Sequence, residues 1–205
     1  MPKRRELADL PADIALSRPQ ILAKAYRDYH RYSLTLQGKD GPVVQERDVL
    51  IAGKVVAVIP IDVARQEIML IRHFRLPAHL ANGCGDLVEL VAGRFEANET
   101  LLEAARRECR EEIGIAPEKV VELFNYLSTP GITDEEITIF LAAVDAPKVH
   151  EGALTTPDGE QLYIHRVSIA SAIGAIDRHA MRGSPIVIGL QWLALNRERV
   201  AALLG

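Results

Sequence analysis

Hydrophobic residues recur along this chain in short β-type runs that are separated by polar turns. Residues 32–36 and 43–50 flank Gly38-Lys39-Asp40-Gly41, and this pattern predicts a hairpin. Further strands are predicted at residues 54–61, 67–74, 87–91, 120–127, 137–144 and 161–167. Residues 81–85 and about 148–159 are predicted to be loops. The first thirty residues mix helix formers with prolines and are predicted to form a short helix and a connector.

The clearest helical pattern covers residues 100–113. Thr100 and Glu103 have the spacing of a capping box, and Gly114 stands where a helix commonly ends in a left-handed residue. Apolar side chains repeat at three and four residues and predict an inward-facing stripe: Leu102, Ala105, Cys109 and Ile113. Two more helices are predicted at about 169–179 and 187–203, where Trp192 is expected to pack in the core.

The order of these elements predicts the class of fold. Strands and helices interleave without a regular βαβ period, which favours an α/β protein with a mixed sheet between helices. We expect residues 1–50 to form an amino-terminal extension of helix and strands, and residues 51–205 to form the main domain.

Composition narrows the possible partners. The 205 residues are 48% hydrophobic and carry a net charge of −4, so no global field attracts nucleic acid or an anionic membrane. No uncharged apolar run approaches the ~18 residues of a membrane helix, and the interrupted amino terminus is unlike a signal peptide. The two cysteines, Cys84 and Cys109, have no paired ligand spacing, which predicts a reducing, cytoplasmic location.

Three acids gather near the carboxyl end of the helix predicted at 100–113. Glu108 and Glu112 are four residues apart and share a helical face, and Glu111 lies three residues from Glu108. Acids at that end also meet an unfavourable helix dipole, which costs ~0.3–1 kcal/mol each when they are exposed. A hard divalent cation among them would remove this dipole penalty and the repulsion between the neighbouring carboxylates. Magnesium suits such a site. A solvated charged helix with arginine partners is the alternative.

The whole segment GRFEANETLLEAARRECREEIGI, residues 93–115, resembles the Nudix box. That pattern is Gly, five residues, Glu, seven residues, Arg-Glu, an aliphatic residue, any residue, Glu-Glu, any residue, Gly and an aliphatic residue. The matching positions are Gly93, Glu99, Arg107, Glu108, Glu111, Glu112, Gly114 and Ile115. Only Cys109 departs, since a larger aliphatic residue is usual there, and cysteine behaves as a small hydrophobe.

The resemblance implies a Nudix α/β/α sandwich and a metal-dependent pyrophosphohydrolase. It assigns Glu108, Glu112 and the backbone carbonyl of Ala92 as metal ligands, with Glu111 as a further ligand or supporting catalytic acid. Arg107 would hold the acids in place, and Glu99 would brace the loop or bind a water. The implied cofactor is Mg²⁺, for which Mn²⁺ can substitute, bound against the oxygens of a diphosphate.

Features outside the box resemble the ADP-ribose pyrophosphatase subgroup. Pro130 stands fifteen residues after Ile115, although Pro130 with Gly131 is also a common turn dipeptide. In this subgroup a strand ends in a phosphate-binding arginine, which here is Arg75, and surface arginines at strand ends are also common. Arg94 and Thr129 are weaker candidates for contacts to ribose or phosphate.

The same resemblance implies a catalytic acid on a late loop. In the stretch 156–161, Glu160 corresponds best to the acid that deprotonates water or helps hold a metal, with Asp158 as runner-up, although a polar loop can also carry acids by chance. Relatives of this kind are homodimers whose amino-terminal strands help bind adenine. Residues 29–32 would supply such contacts, or their aromatic rings pack within the hairpin.

The substrate that the resemblance implies is a nucleoside diphosphate sugar. We expect ADP-ribose, cleaved to AMP and ribose 5-phosphate, with GDP-mannose or another nucleotide sugar as the alternative. A non-catalytic nucleotide sensor on a Nudix fold is a second class of protein, but the box acids are complete here and no added DNA-binding segment is seen. Hydrolases of mutagenic triphosphates are usually shorter at the amino end.

Overall fold

The computed structural model describes residues 7–205, which form twelve strands and five α-helices. The strands are β1 (Ala15–Leu16), β2 (Gln20–Ala23), β3 (Asp28–Gly38), β4 (Gly41–Ile51), β5 (Lys54–Asp62), β6 (Glu67–Phe74), β7 (Asp86–Glu89), β8 (Val91–Arg94), β9 (Val120–Leu127), β10 (Glu136–Ala143), β11 (Gly152–Thr155) and β12 (Gln161–Ser168). The helices are α1 (Leu76–Asn82), α2 (Leu101–Ile113), α3 (Ile169–Asp177), α4 (Ser184–Leu195) and α5 (Arg197–Leu204).

The chain divides into two compact units. The first unit extends to Ala52 and includes Thr129–Asp134, and the second comprises Gly53–Ser128 and Glu135–Gly205. In the first unit, β3 and β4 form the predicted hairpin, with Gly38 opposite Gly41, and β1 and β2 pair antiparallel with β3.

The helix that we expect near the amino terminus is wrong for residues 7–30. There the chain forms β1 and β2, whose backbones pair with β3: Ala15 lies opposite Thr35, and Gln20 opposite Arg31. Whatever part of that prediction falls on residues 1–6 lies outside the described residues.

The second unit is built on an eight-stranded mixed sheet. Its order is β11-β12-β6-β5-β10-β9, with β7 also paired to β6 and β8 to β5. The β5–β10 pair is parallel, and every other pair in this sheet is antiparallel. The β8 pairing places Gly93 opposite Val56 and so brings the start of the box segment onto the sheet.

Helices cover both faces of this sheet. Successive residues of β5 point to opposite faces, so Val56 and Val58 join the core under α2, whereas Ala57 and Ile59 join the core under α3, α4 and α5. Each large aliphatic side chain buried in this way contributes about 1.5–3 kcal/mol. Helices on both sides of a mixed sheet confirm the predicted α/β/α sandwich.

Three elements differ from the sequence prediction. Helix α1 was not predicted; it covers the first two residues of the loop expected at 81–85, and it ends at Gly83, which has a φ of 76°. Strand β11 lies inside the expected loop at 148–159, and the last predicted helix is interrupted at Asn196. Within residues 7–205, no helix is both long and apolar enough to cross a membrane.

Candidate active site

Helix α2 holds the box acids at a fixed spacing. Thr100 and Glu103 form the predicted capping box at its start, and Gly114, with a φ of 75°, ends it. Its inward face consists of Ala104, Ala105, Cys109 and Ile113, all at most 1% exposed. Leu102, expected in that stripe, is 36% exposed, because Ala104 occupies the buried position of the first turn instead.

The same packing buries two of the acids. Glu108 is 7% exposed and Glu112 is 4% exposed, so both carboxylates lie against the sheet rather than in solvent. The solvated-helix alternative is therefore wrong for these two positions. Glu111 is partly exposed and lies toward the surface.

Strand β8 approaches these carboxylates closely. A Cβ atom at Gly93 would lie 1.9 Å from Oε1 of Glu108, so only glycine leaves room for the carboxylate at this point. The amide of Ala92 donates a 2.9 Å hydrogen bond to Oε2 of Glu112. The backbone of β8 and two helical acids therefore form one small polar site at the sheet surface.

Burial changes the protonation of both acids. It raises the pKa of Glu108 to about 7, against the opposing effect of the Arg107 guanidinium. Burial also raises the pKa of Glu112 well above its ordinary value, although the Ala92 amide acts to lower it. The negative charge of Glu108 also raises the pKa of Glu112, and a cation bound between them would offset this repulsion.

These donors fit a divalent cation. Oxygens from two buried carboxylates and a nearby backbone are the ligand types that magnesium and calcium prefer. Within residues 7–205, no three Asp, Glu, His or Cys side chains converge into a metal cluster by themselves. Carbonyl, water and phosphate oxygens would therefore have to complete the coordination, as is usual for Mg²⁺.

Arg107 connects the acids to the loop that precedes α2. Its guanidinium lies 2.8 Å from Oε1 of Glu99, 2.6 Å from Oε1 of Glu108 and 3.1 Å from Oε2 of Glu111. It also donates to the carbonyl of Arg94 at 2.8 Å. The hydrogen bond from Arg107 is the main reason why the pKa of Glu99 is lowered. Arg107 therefore links Glu99 in the preceding loop to Glu108 and Glu111 on the helix.

Arg75 follows β6 and precedes α1. Its Nη2 lies 2.9 Å from Oε2 of Glu89 on β7, and its Nε contacts both oxygens of that carboxylate. Burial acts to lower the pKa of Arg75, but Glu89, Glu160 and Glu112 outweigh burial and raise it. Arg75 therefore shares one electrostatic environment with the metal-ligand candidate Glu112 and the loop acid Glu160.

The loop acid stands at the end of a tight turn. The Thr156 amide donates to the carbonyl of Glu160, and the Thr156 hydroxyl accepts from the amide of Glu160, both at 2.9 Å. That hydroxyl also donates to Asp158, whose carboxylate is thereby drawn toward the turn. The Glu160 carboxylate faces His73 on β6, with Oε2 and Nδ1 3.8 Å apart.

The second unit thus brings together most of the predicted site residues: Ala92, Glu108, Glu111, Glu112, Arg75, Asp158 and Glu160. The Arg94 residue is exposed, and its carbonyl rather than its guanidinium meets Arg107. Thr129 is exposed in the first unit, where its carbonyl accepts the amides of Ile132 and Thr133.

The sequence pattern did not identify two residues of the site, His73 and Glu89. Neither belongs to the box, and their positions follow from strand pairing: His73 lies opposite Leu162 on β12, and Ile71 lies opposite Glu89 on β7. The alternation along residues 67–74 could have placed His73 on the same face as Met69 and Ile71, which are buried under α2.

Comparisons with known proteins identify the family of this chain. The NUDIX domain family matches residues 52–186, and the chain belongs to that family, as a Nudix hydrolase. Hydrolases of this family generally use divalent metal ions.

Several curated relatives align over most of their length. An ADP-ribose pyrophosphatase of Escherichia coli is 30% identical over 152 residues, which is 74% of this chain and 73% of that protein. An ADP-ribose pyrophosphatase of Haemophilus influenzae is 28% identical over 90% of this chain and 87% of that protein. A GDP-mannose pyrophosphatase of Cronobacter sakazakii is 30% identical over 90% of this chain and 96% of that protein.

A solved structure supports the fold. The crystal structure of an ADP compounds hydrolase superposes with a TM-score of 0.64 and 18% identity, covering 91% of this chain and 97% of that one. At that identity, the likeness concerns the arrangement of the sheet and helices alone.

Proposed function

We propose that this chain is a magnesium-dependent hydrolase of nucleoside diphosphate sugars, with ADP-ribose as the preferred substrate and AMP and ribose 5-phosphate as products. The observation that carries the proposal is the buried pair Glu108 and Glu112, held against β8 where a Cβ at Gly93 would collide with Glu108. Two buried acids with raised pKa values are costly to the fold, and a cation bound to them offsets that cost.

Glu108, Glu112 and the carbonyl of Ala92 would hold the metal, with Glu160 as a further ligand or as the base. When bound, Mg²⁺ or its substitute Mn²⁺ supplies charge to the diphosphate oxygens and acidifies a water. Arg107 keeps Glu108 and Glu111 in place through its contacts at 2.6 and 3.1 Å. Holding charges in position in this way accounts for most of the acceleration in phosphoryl transfer.

The remaining residues act on the substrate and the water. Arg75, anchored on Glu89 through Nε and Nη2, presents the rest of its guanidinium fork to phosphate oxygens. Glu160 accepts the proton of the water that attacks phosphorus, since its carboxylate is 42% exposed and stands at the end of the turn. Asp158 is the weaker candidate for this base, because Thr156 already engages its carboxylate.

The names of the relatives support the substrate class. Relatives called ADP-ribose pyrophosphatase and GDP-mannose pyrophosphatase both align with this chain at about 30% identity. Pro130 and Arg75 resemble the proline and the phosphate-binding arginine of the ADP-ribose pyrophosphatase subgroup, and the resemblance to GDP-mannose pyrophosphatases includes both features. GDP-mannose is the second candidate.

We further propose that the protein is a cytoplasmic homodimer in which the first unit contributes to assembly. Its four-stranded sheet exposes large apolar side chains, among them Leu16, Ile21 and Val44. Contiguous exposed apolar surface marks contact sites. Residues 29–32 of β3 and Thr129 belong to this unit and are candidates for contacts to the nucleotide. Cys84 and Cys109 are free thiols, as suits a reducing compartment.

A substrate panel tests the proposal. Turnover of ADP-ribose, GDP-mannose, ADP-glucose and NADH is measured with Mg²⁺, with Mn²⁺ and with chelator. We expect ADP-ribose to have the highest kcat/KM, and a value more than about tenfold below the best substrate, or 1.4 kcal/mol, would contradict this preference. Hydrolysis in oxygen-18 water then assigns the phosphorus that is attacked, by the product that carries the label.

Two variants test the roles. Glu112→Gln is expected to fold and to lose nearly all metal-dependent hydrolysis, because a ligand is removed while the shape is kept. Glu160→Gln is expected to lower kcat far more than it raises KM. Glu122→Gln, an exposed acid on β9, is the matched control and is expected to behave like the wild type. Wild-type turnover by Glu112→Gln would refute the metal assignment.

A further inference from the structure

The imidazole of His73 lies under the loop acid at the edge of the site. The side chain of His73 is 11% exposed, whereas that of Glu160 is 42% exposed. His73 is the next-to-last residue of β6 and pairs with Leu162, two residues beyond Glu160. The sheet therefore holds the His73 imidazole beside the Glu160 carboxylate, which otherwise faces solvent.

The turn from Thr156 to Glu160 fixes only the backbone of this acid. Hydrogen bonds from Thr156 hold the amide and the carbonyl of Glu160, and none of them reaches its carboxylate. Orientation of the carboxylate must come from another group. A general base has to stand within about 2.6–3.2 Å of the proton it accepts, so its direction matters as much as its presence.

The ring nitrogen Nδ1 of His73 is able to orient the Glu160 carboxylate. Among residues 7–205, its buried Nδ1 has no hydrogen-bond partner, which is a costly state for a buried polar atom. The nearest acidic oxygen is Oε2 of Glu160 at 3.8 Å. A shift of about 1 Å by the carboxylate would bring the pair into hydrogen-bond range.

We propose that His73 is a positioning residue that donates its Nδ1–H to Glu160 and so aims the loop carboxylate at the attacking water. The proposal rests on the proposed function, because it takes Glu160 as the base or ligand acid of that reaction. A shift of about 1 Å by the carboxylate closes the 3.8 Å gap, and the hydrogen bond leaves the second carboxylate oxygen free for the water. His73 does not touch the substrate.

Two substitutions at His73 separate donation from packing. His73→Leu keeps an apolar side chain of similar bulk without a donor, and His73→Asn places an amide nitrogen near the position of Nδ1. We expect His73→Leu to lower kcat by about 10²-fold with little change in KM, the scale on which a 1 Å misplacement acts. His73→Asn is expected to recover most of that loss.

His165→Leu is the matched control, since His165 lies on the adjacent β12 and its Nε2 accepts from Arg72 rather than contacting Glu160. It is expected to keep the turnover of the wild type. Equal losses of kcat in His73→Leu and His73→Asn would overturn the proposal, as would a change in KM alone.

A double-mutant cycle adds a readout that a merely structural role would not move. If His73 acts through Glu160, adding His73→Leu to Glu160→Gln causes no further loss of kcat. Independent, multiplying losses would overturn the proposal, because residues that do not act through one another show additive free energies.

A measurement on the metal-free protein distinguishes failure of this proposal from failure of the proposed function. Nitrogen-15 spectra of the histidine side chains report which ring nitrogen carries the proton. We expect a neutral His73 protonated at Nδ1, with a resonance that shifts in Glu160→Gln and stays unchanged in Glu122→Gln. An Nδ1 without a proton, or one insensitive to Glu160, overturns the inference whatever the substrate panel shows.

Discussion

Arg75 and Glu89 form a part-buried ion pair at the candidate active site, with Nη2 of Arg75 2.9 Å from Oε2 of Glu89. The pair joins the end of β6 to β7, and the backbone amide of Arg75 also donates to the carbonyl of Gly85 at 2.7 Å. The guanidinium is therefore oriented before any ligand arrives. Orientation in advance reduces the ordering cost of binding a phosphate.

Glu89→Gln should weaken the binding of the diphosphate. The loss of the carboxylate leaves Arg75 with a weaker anchor, and we expect KM to rise about tenfold, equivalent to 1.4 kcal/mol, with a smaller change in kcat. Steady-state kinetics measure both. Glu67→Gln is the matched control, because Glu67 pairs with Arg166 at 3.5 Å at the far end of β6. Equal KM values in the two variants would argue against this role.

Arg107→Ala should destabilise the metal-free protein more than the metal-loaded one. Arg107 compensates Glu108, whose side chain is 9% exposed, and hydrogen bonds to charged groups contribute about 1.5–3 kcal/mol. Chemical denaturation with chelator should show a loss of that size, and saturating Mg²⁺ should reduce it, because the bound cation then compensates the Glu108 charge in place of Arg107. Arg110→Ala, an exposed position on the same helix, should lose little in either condition.

Gly93→Ala should separate folding from metal binding. The added methyl would lie 1.9 Å from Oε1 of Glu108 and must displace that carboxylate. We expect a folded protein whose apparent metal dissociation constant is raised about 10–100-fold, as when metal ligands lose their support. Titration with Mn²⁺ measures it. Gly183→Ala is the control, because a Cβ there meets only Ile186 at 3.8 Å. Unchanged affinity in Gly93→Ala would refute the crowding argument.

Asp62→Asn should make stability less dependent on pH in acid. Asp62 is 3% exposed and accepts the amides of Arg65 and Ala146 and the guanidinium of Arg65. Burial acts to raise the pKa of Asp62, but these donors outweigh it and hold the pKa below its usual value.

A lowered carboxyl pKa stabilises the fold above the unfolded pKa of about 3.9, and this contribution is lost as pH falls toward the folded pKa. We therefore expect Asp62→Asn to lose about 1.5–3 kcal/mol at pH 7, and the deficit to shrink below about pH 4. Urea denaturation at both pH values measures it. The same deficit at both would show that Asp62 does not act through its charge.

Helix α2 could be predicted almost to the residue because all of its signals are local. Thr100, Glu103 and Gly114 mark its ends within sixteen residues of chain, and the acids lie between them. Helix α1 was missed although it carries the asymmetry of a proline near its start and a glycine after its end, Pro77 and Gly83. Strand β11 was hidden because a four-residue edge strand has too few residues to show alternation.

Local pattern could indicate the sheet face of His73, but it could not predict which residues His73 and Glu89 contact. His73 and Glu89 acquire their roles from partners 87 and 14 positions away, Glu160 and Arg75, and those meetings depend on the register of β6 with its neighbours. A one-residue slip in either pairing would turn these side chains to the opposite face of the sheet.

The buried face of helix α2 carries both core residues and acids, because Ala105, Cys109 and Ile113 interleave with Glu108 and Glu112. The carboxylates proposed as metal ligands therefore lie on no flexible element of their own, and transient opening of this helix would separate them and expose the adjacent core. Occupancy by a divalent ion must oppose that opening, so amide protons along the helix would exchange with solvent more slowly once the ion is held.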